Sequence, residues 1–411
     1  MTPARYLVRH QADLVRFLQQ LIRLNTVNPP GHHYGEITEI LVATLRDIGL
    51  EARRVTVPRS VQKKTQPELL DYPRYNVLAR WDTGAKKTVH FNAHFDVVPV
   101  SGRWRHGDPF NPAIEKGWMY GRGTSDMKGA IASIVFGLKA LKATGTKPNF
   151  NVEVSFCADE ETDSTLGTGW VTQREKLTAD YAIVGEGGEG DAVCCGHNGV
   201  VWLNVHVHGK AAHGSTPLRG VNALEKMSAL VLALDEYKRV LARKKFKSAG
   251  RPRDGADDEP RRGLRRRRGR QGQHRARRRQ LHHRPSRAAG RERRRRRARP
   301  AGVPHQGRAP DSAVPDHDRE DLAQPLVLPR SRDAFRRALK ASVTRVRRRP
   351  AHFTVSTGFN DMHFFANERR LPTLGYGPGG QNYHAIDERA KIKDLVEAAT
   401  IYADLLTTFA G

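Results

Sequence analysis

The chain has 411 residues, which exceeds the roughly 250–300 at which a single core stops growing, so two domains are expected. It contains three cysteines, too few for a disulfide framework, and no run near the roughly 18 apolar residues of a membrane span. These features exclude disulfide-rich and membrane-spanning classes and predict a cytoplasmic protein. A net charge of +28 would suggest a polyanionic partner, but residues 251–310 alone carry 23 arginines and five acidic residues. The charge therefore belongs to one segment, and binding of nucleic acid is not expected.

The first 200 residues predict helices alternating with strands. Residues 1–24 have apolar side chains at helical spacing and predict one amphipathic surface helix, without the residue order of a signal peptide. A turn rich in proline and glycine follows at 25–31, and a second amphipathic helix is predicted at 36–48. Strands are predicted at 75–81, 88–93, 151–157 and 181–184, with a buried helix at 129–141. This alternation favours an α/β sheet covered on both faces.

A second, smaller domain is predicted to begin near residue 200. Alternating polar and apolar residues at 200–207 predict a half-buried strand, and 222–240 predict a long helix. Between Lys247 and Ala334 there is no Phe, Tyr, Trp, Ile, Met or Asn. Such a stretch cannot bury enough surface to offset its conformational entropy, so disorder is expected. Globular sequence resumes near Leu326, with a helix predicted at 335–346, a strand at 353–356 and a last helix at 392–409.

Three hypotheses explain the arginine-rich block at 247–325. A nucleic-acid-binding tail would need interleaved aromatic residues to stack bases, and the block has none. A natural solvated insertion is the second hypothesis. We favour the third, an out-of-frame translation of a GC-rich coding region, which would yield Arg, Ala, Pro, Gly and His at the expense of Ile, Phe, Tyr, Asn and Lys.

Seven acidic and histidine side chains follow strand-like runs or lie in glycine-rich turns. They are His94, Asp96, Asp126, Glu160, Glu161, Glu186 and His384. Singly, each has a simpler interpretation, such as a His–Asp hydrogen bond at a strand end, a solvated acidic turn, or an anion-binding loop at 121–129. Together, carboxylates and imidazoles suit Zn²⁺, Co²⁺ or Mn²⁺ better than a thiolate site would. A carboxylate shared by two such cations makes a nucleophile from water at neutral pH.

The chain resembles the co-catalytic zinc peptidase and deacylase family that includes acetylornithine deacetylase, succinyl-diaminopimelate desuccinylase, aminoacylase-1 and glutamate carboxypeptidase. The matching motifs occur in the family's order and span about four-fifths of the chain, at 1–245 and 325–411. They lie at 25–31, 94–99, 104–129, 158–162, 183–188, 212–223, 358–364 and 376–388.

The resemblance implies a role for each candidate residue. Asp126 would bridge two metal ions, with His94 and Glu186 completing one site and Glu161 and His384 the other. Asp96 would orient His94, and Glu160 would be the general base that activates a metal-bridging water. His213 would reach over the active site, often that of a partner subunit, to stabilise the oxyanion. The family also implies a cis peptide bond after Asp126, and Asp361 matches a motif without an assigned role.

The implied fold is α/β, a mixed-sheet catalytic domain with an inserted α+β lid and dimerisation domain. The catalytic domain would occupy 1–198 and 346–411, and the lid 199–246 and 326–345, interrupted by the arginine-rich block. The family's lid also contains a Gly-Gly turn, an Asn-rich strand and an arginine that binds the substrate carboxylate. None of these can be placed in 247–325, which puts the lid's remaining sheet and the homodimer edge in doubt.

The predicted function is hydrolysis of the amide bond of a small N-acyl amino acid, with two divalent ions, Zn²⁺ or Co²⁺, as cofactors. A metallo-dipeptidase or carboxypeptidase of the same family is the alternative. From other classes, the rivals are an inactive product of a damaged gene and a basic nucleic-acid-binding protein.

Overall fold

The structure, a computed structural model, describes residues 1–186, 190–243, 322–324, 327 and 334–411. Its helices are α1 (Pro3–Arg9), α2 (Gln11–Arg23), α3 (Tyr34–Asp47), α4 (Arg59–Thr65), α5 (Lys128–Ala143), α6 (Thr168–Arg174), α7 (Ala223–Arg243), α8 (Ala334–Arg347) and α9 (Ile392–Thr408). Its strands are β1 (Glu51–Thr56), β2 (Tyr75–Trp81), β3 (Thr88–His94), β4 (Ala113–Glu115), β5 (Trp118–Tyr120), β6 (Asn151–Cys157), β7 (Tyr181–Val184), β8 (Ala192–His197), β9 (Val200–Trp202), β10 (Leu322–Gln324), β11 (His352–Ser356), β12 (Thr373–Gly375) and β13 (Arg389–Lys391).

An eight-stranded mixed sheet in the order β1-β2-β6-β3-β7-β12-β8-β11 forms the centre of the fold. Its middle strands β6, β3, β7 and β12 run parallel, so their carboxyl ends lie at one edge of the sheet. The register aligns His94 with Cys157 on β6, and Asn92 with Val184 on β7. Residues that follow β6 and β7 are therefore brought beside the end of β3.

Helices cover the sheet, and its central strands are buried along their whole length. Every residue of β3 and β6 is buried, as expected for parallel strands covered on both faces. The helix α5 is buried nearly all round and packs closely against α9, where a side chain at Gly137 would lie 2.8 Å from the Ala399 carbonyl oxygen. This contact explains a glycine in a helix interior, where it otherwise costs about 1 kcal/mol relative to alanine.

Most predicted elements are present, but the N-terminus differs from the prediction. Residues 1–24 form two helices rather than one, because the backbone at His10 leaves the helical conformation between α1 and α2. The His10 ring bonds the Asp13 carboxylate at 2.7 Å and stacks on Tyr6, which stabilises the break. Both helices still bury an apolar face against the core.

The strand predicted at 200–207 is shorter than expected, with only Val200–Trp202 in β9. Its partner is the short strand β10, in which Leu322–Gln324 pair antiparallel with β9. These three residues are the part of the predicted arginine-rich segment, 247–325, that the structure describes. The rest of the arginine-rich block, 247–321 and 325, lies outside the described residues.

The helix α8 packs against α9, and its Phe335, Leu339 and Val343 side chains are buried in the main core. The domain boundaries remain a prediction, but this packing supports a proposal that the lid ends before Ala334 rather than at 345. Within the predicted lid, the structure describes residues 199–243, 327 and 334–345, which include β9 and the helix α7, and α7 has no buried residue.

Candidate metal centre

Five predicted metal ligands converge at the carboxyl edge of the parallel strands. His94 is the last residue of β3, Glu160 and Glu161 follow β6, and Glu186 follows β7. His384 lies in the loop after β12, and Asp126 lies two residues before the start of α5. The Asp126–Met127 peptide bond is cis, as the resemblance implies. Residues separated by up to 290 positions in the chain therefore meet at one edge, because β3, β6, β7 and β12 are parallel neighbours and the loop before α5 brings Asp126 to their ends.

Asp126 lies at the centre of this group, between the two imidazoles. One of its oxygens is 3.2 Å from His94 Nε2, and the other is 3.0 Å from His384 Nε2. Glu186 approaches His94 Nε2 at 3.3 Å, and Glu161 approaches His384 Nε2 at 3.1 Å. Ligand atoms of His94, Asp126 and Glu161 lie within 4.8 Å of one another, as do those of His94, Glu160 and Glu186. The geometry is that of two adjoining cation sites with Asp126 between them.

The crowded carboxylates perturb one another's protonation. Burial raises the pKa of Glu161 to about 7, with a further rise from the Asp126 charge. Burial also raises the pKa values of Glu160 and Glu186 above their usual range. For His94, burial would lower the pKa, but the facing carboxylates, Glu160 first, raise it well above its ordinary value. Three acidic groups that resist ionising together form a site at which bound cations would relieve electrostatic repulsion.

Asp96 is fully buried behind His94 and supports three residues of the cluster. The His94 Nδ1 atom lies 3.1 Å from the Asp96 carbonyl oxygen and 3.4 Å from its carboxylate. The Asp96 carboxylate also accepts the backbone N–H groups of Glu160 at 3.2 Å and Glu161 at 3.1 Å. Asp96 therefore orients the imidazole, as the resemblance implies, and it also fixes the backbone of the two glutamates.

A buried ion pair that sequence reasoning missed underlies this turn. The Arg74 Nε–H donates to the Asp159 carboxylate at 2.8 Å, and both side chains are fully buried. Asn28 links the two layers, since its amide donates to Asp96 and to Asp159, each at 3.1 Å. Burial raises the pKa of Asp159 to about 6, although Arg74 opposes the rise. The only sequence signal was that Asn28 and Asp159 lie inside the matching motifs at 25–31 and 158–162.

Glu388 is the second residue that sequence reasoning missed, and it holds the loop that carries Asp126. Its buried carboxylate accepts N–H groups from Gly123 at 3.0 Å, Ser125 at 2.9 Å and Asp126 at 3.1 Å. The Arg122 guanidinium also donates to it at 2.7 Å. The pairing of β13 with β5 brings Glu388 to this loop. Glu388 lies at the end of the 376–388 motif, which gave no indication of this role.

Asp361, which had no assigned role, ties the loop after β6 to the segment after β11. Its carboxylate accepts hydroxyl groups from Ser164 and, at 2.5 Å, from Thr168. Burial raises its pKa to about 6. It is therefore a positioning residue for the loop in which Glu160 and Glu161 lie.

His213 does not join the cluster within this chain. Its ring is exposed, and its Nδ1 lies 2.7 Å from the Ser215 hydroxyl in the same turn. Its role above the metal centre stays a prediction, because that role would place it over the site of a partner subunit.

The fold and the ligand cluster together define a class, the metal-dependent hydrolases with a mixed α/β sheet. Residues 90–408 match the model of peptidase family M20/M25/M40, and the chain belongs to that family. A succinyl-diaminopimelate desuccinylase of Methylocella silvestris is 27% identical over 417 residues, covering 96% of this chain and 97% of that protein. Some other curated relatives match only in part, and the chain spans about half the length of the uncharacterized metallohydrolases MJ0457 of Methanocaldococcus jannaschii and MMP1398 of Methanococcus maripaludis.

Solved structures share the fold. Human carnosine dipeptidase 1 superposes with a TM-score of 0.63 at 15% identity, covering 98% of each chain. The YXEP protein of Bacillus subtilis, described as a dinuclear metal-binding peptidase of the M20 family, has a TM-score of 0.51 at 11% identity, covering 97% of this chain and 98% of that one. In the part of the chain that the structure describes, no helix is long and apolar enough to cross a membrane.

Proposed function

We propose that the protein hydrolyses the amide bond of a small N-acyl amino acid, releasing a carboxylate and a free amine. The observation that carries the proposal is the cluster in which Asp126 lies between His94 and His384, each with a second carboxylate beside it. Membership of a peptidase family and similarity to a desuccinylase along nearly the whole chain support an amide substrate.

The residues present suit two divalent cations, and Zn²⁺ or Co²⁺ would match the donor set of imidazoles and carboxylates. Asp126 would be shared, with His94 and Glu186 on one side and Glu161 and His384 on the other. The Glu161 Oε1 atom is buried and has no hydrogen-bond partner among the described residues, as expected of an oxygen that would coordinate a cation. Two cations bound there would lower the pKa of an attacking water toward about 7.

Glu160 is the residue placed to move the proton. Its Oε2 atom lies 3.7 Å from His94 Nε2, and burial raises the pKa of the Glu160 carboxyl group. A carboxylate with a raised pKa accepts a proton from the attacking water and returns it to the leaving nitrogen, which is general base and then general acid catalysis. The buried Asp96 carboxylate accepts the backbone N–H of Glu160, which fixes the backbone from which the Glu160 side chain extends.

The lid would complete the site in the assembled protein. The proposal places His213 of one subunit over the cluster of its partner, where it would stabilise the oxyanion. It therefore requires a homodimer and a lid that folds despite the arginine-rich block. A cytoplasmic location is a separate part of the proposal. Light scattering of the full chain tests the dimer, and resequencing codons 245–330 tests the out-of-frame hypothesis for the block.

Hydrolysis assays test the reaction directly. The metal-loaded full chain would be incubated with N-acetyl and N-succinyl amino acids and with dipeptides, beside Glu160→Gln and the matched control Glu39→Gln, an exposed glutamate far from the cluster in sequence. We expect Glu160→Gln to lower the rate by roughly 10²–10⁴ while its metal content is unchanged, and the control to behave as the wild type. A chain that binds metal yet hydrolyses none of these substrates would contradict the proposal.

Dipeptide hydrolysis is the second candidate, favoured by the family's description as peptidases. The same assay separates the two, because a dipeptidase would cleave substrates with a free α-amino group faster than their N-acylated counterparts.

A further inference from the structure

A cavity of about 530 Å³ opens on the β1-β2-β6 side of the sheet, apart from the metal centre. One of its walls includes His90, which precedes His94 by four residues on β3. At about 3.3 Å per strand residue, that part of the wall lies roughly 13 Å from the metal-binding end of the strand. The volume is within the range of about 300–1,000 Å³ that is typical of small-molecule sites.

Cationic side chains dominate the lining. Arg46, Arg53, Arg80 and Lys176 line the cavity beside two carboxylates, Glu51 and Glu153, and a third carboxylate, Glu175, pairs with Arg53 at the rim. The strand register pairs Arg53 with Leu78 and Arg80 with Glu51, so the two arginines are diagonal neighbours on one face of the sheet. Diagonal neighbours are about 7–8 Å apart, a spacing at which two guanidinium groups can contact one anionic group between them.

The Glu153 carboxylate is already hydrogen-bonded by groups of the protein, which weakens its repulsion of an incoming anion. It is nearly fully buried and accepts hydrogen bonds from Arg80 Nη1 at 2.7 Å and from the Thr178 hydroxyl at 2.7 Å. The Thr178 backbone N–H donates to it at 3.0 Å, and His90 Nδ1 lies 3.4 Å away. Burial would raise its pKa, but these contacts lower it to about 2.

The loop after α6 forms the outer wall and brings a further cation. Glu175 on this loop pairs with Arg53 across the cavity rim, and Arg369 Nη2 donates to the Leu177 carbonyl at 2.9 Å, which fixes the loop. Lys176 between them is exposed and has no hydrogen-bond or ion-pair partner among the described residues. Its ammonium group is therefore available for an occupant.

Apolar side chains line the remainder of the cavity. Leu50 is buried, and Leu78 and Leu177 are half-buried, so an occupant would cover apolar surface that is now partly open to water. Each buried methylene group would contribute about 0.8 kcal/mol. The cavity thus combines a cationic region with an apolar region.

We propose that this cavity binds a small organic anion, a carboxylate or phosphate carried on an apolar body, between Arg53, Arg80 and Lys176. The site is separate from the metal centre and does not depend on the proposed hydrolysis. Its occupant would be held by the two guanidinium groups and the ammonium group at the head, and by the leucines along the body.

Isothermal titration calorimetry of the metal-loaded full chain tests the proposal, with hexanoate, hexyl phosphate and neutral 1-hexanol as probes. The test variant is Arg53→Ala with Lys176→Ala, which removes two exposed cations. The control is Arg54→Ala with Lys147→Ala, which removes the same charge. Arg54 lies on the opposite face of β1, and Lys147 is exposed in a loop distant in sequence.

We expect saturable binding of one anion in the cavity, weakened about tenfold in the test variant, because two half-exposed ion pairs each contribute roughly a factor of three. The control should bind as the wild type, and 1-hexanol should bind much more weakly than either anion. The relative affinities of hexanoate and hexyl phosphate identify the preferred head group. An anion that binds only at the metal centre would be unaffected by the test variant. That result, equal weakening in both variants, or equal binding of 1-hexanol would overturn the proposal.

Discussion

Replacing Glu388 by glutamine should weaken metal binding although Glu388 is not a metal ligand. The carboxylate accepts hydrogen bonds from the backbone N–H groups of Gly123, Ser125 and Asp126 and from the guanidinium of Arg122. Glutamine keeps one acceptor oxygen, but an NH₂ group replaces the other oxygen. This donor would face the N–H donors of the loop. The variant also leaves Arg122, which is 2% exposed, as a buried charge without its partner.

The magnitude follows from these contacts. Removing one partner of a buried ion pair costs about 3–5 kcal/mol, so the free energy of unfolding should fall by that amount. Because the Asp126 backbone loses its anchor, metal affinity should fall by roughly 10–100-fold, as for other residues that orient metal ligands. Urea unfolding measures the first effect, and competition with a chelator of known affinity measures the second.

A second variant separates positioning from stability. Adding Arg122→Met to Glu388→Gln removes the unpaired buried charge, so much of the lost stability should return while metal affinity stays low. If Glu388→Gln changes the free energy of unfolding by less than about 0.5 kcal/mol and leaves metal affinity unchanged, the positioning role of Glu388 is wrong.

Three further predictions follow from buried groups. The pKa of Glu153 is lowered to about 2, so its stabilising contribution is present above pH 4.5 and is lost as the pH falls toward 2. Urea unfolding should show a loss of about 1 kcal/mol by pH 4 and about 2 kcal/mol by pH 3 that is absent in Glu153→Gln. Arg74→Met should destabilise the protein by about 3–5 kcal/mol, because Asp159 stays buried without its partner; a thermal midpoint equal to that of the wild type would contradict this. Gly137→Ala should cost about 1–3 kcal/mol in the same assay, since its Cβ would lie 2.8 Å from the Ala399 carbonyl oxygen, and no change would mean that α5 and α9 separate freely.

Local sequence patterns predicted the central strands well. The bounds of β2, β6 and β7 match the predicted ranges, because these strands are short segments rich in β-branched and aromatic residues. Their ends predicted the metal centre for the same reason, since His94, Glu160 and Glu186 each follow such a segment. The family resemblance then implied the pairing of ligands that the distances support.

Local sequence patterns could not predict contacts between distant parts of the chain. Glu388 reaches Ser125 across 263 positions, and Arg74 reaches Asp159 across 85, so neither pair leaves a periodic signal. The strand β10 escaped prediction because its three residues lie beside a long arginine-rich stretch and no local pattern reveals their pairing with β9. The break at His10 depends on a side-chain contact with Asp13, which helical spacing alone does not reveal.

Metal stoichiometry tests the central claim, that this chain holds two adjoining cations, most directly. Calorimetric titration of Zn²⁺ into the chelator-treated full chain should show two sites per chain in the wild type. It should show one in Glu161→Ala, which removes the buried oxygen that lacks a partner while leaving His94, Asp126 and Glu186 in place. A single site in the wild type, or two unperturbed sites in Glu161→Ala, would contradict the account.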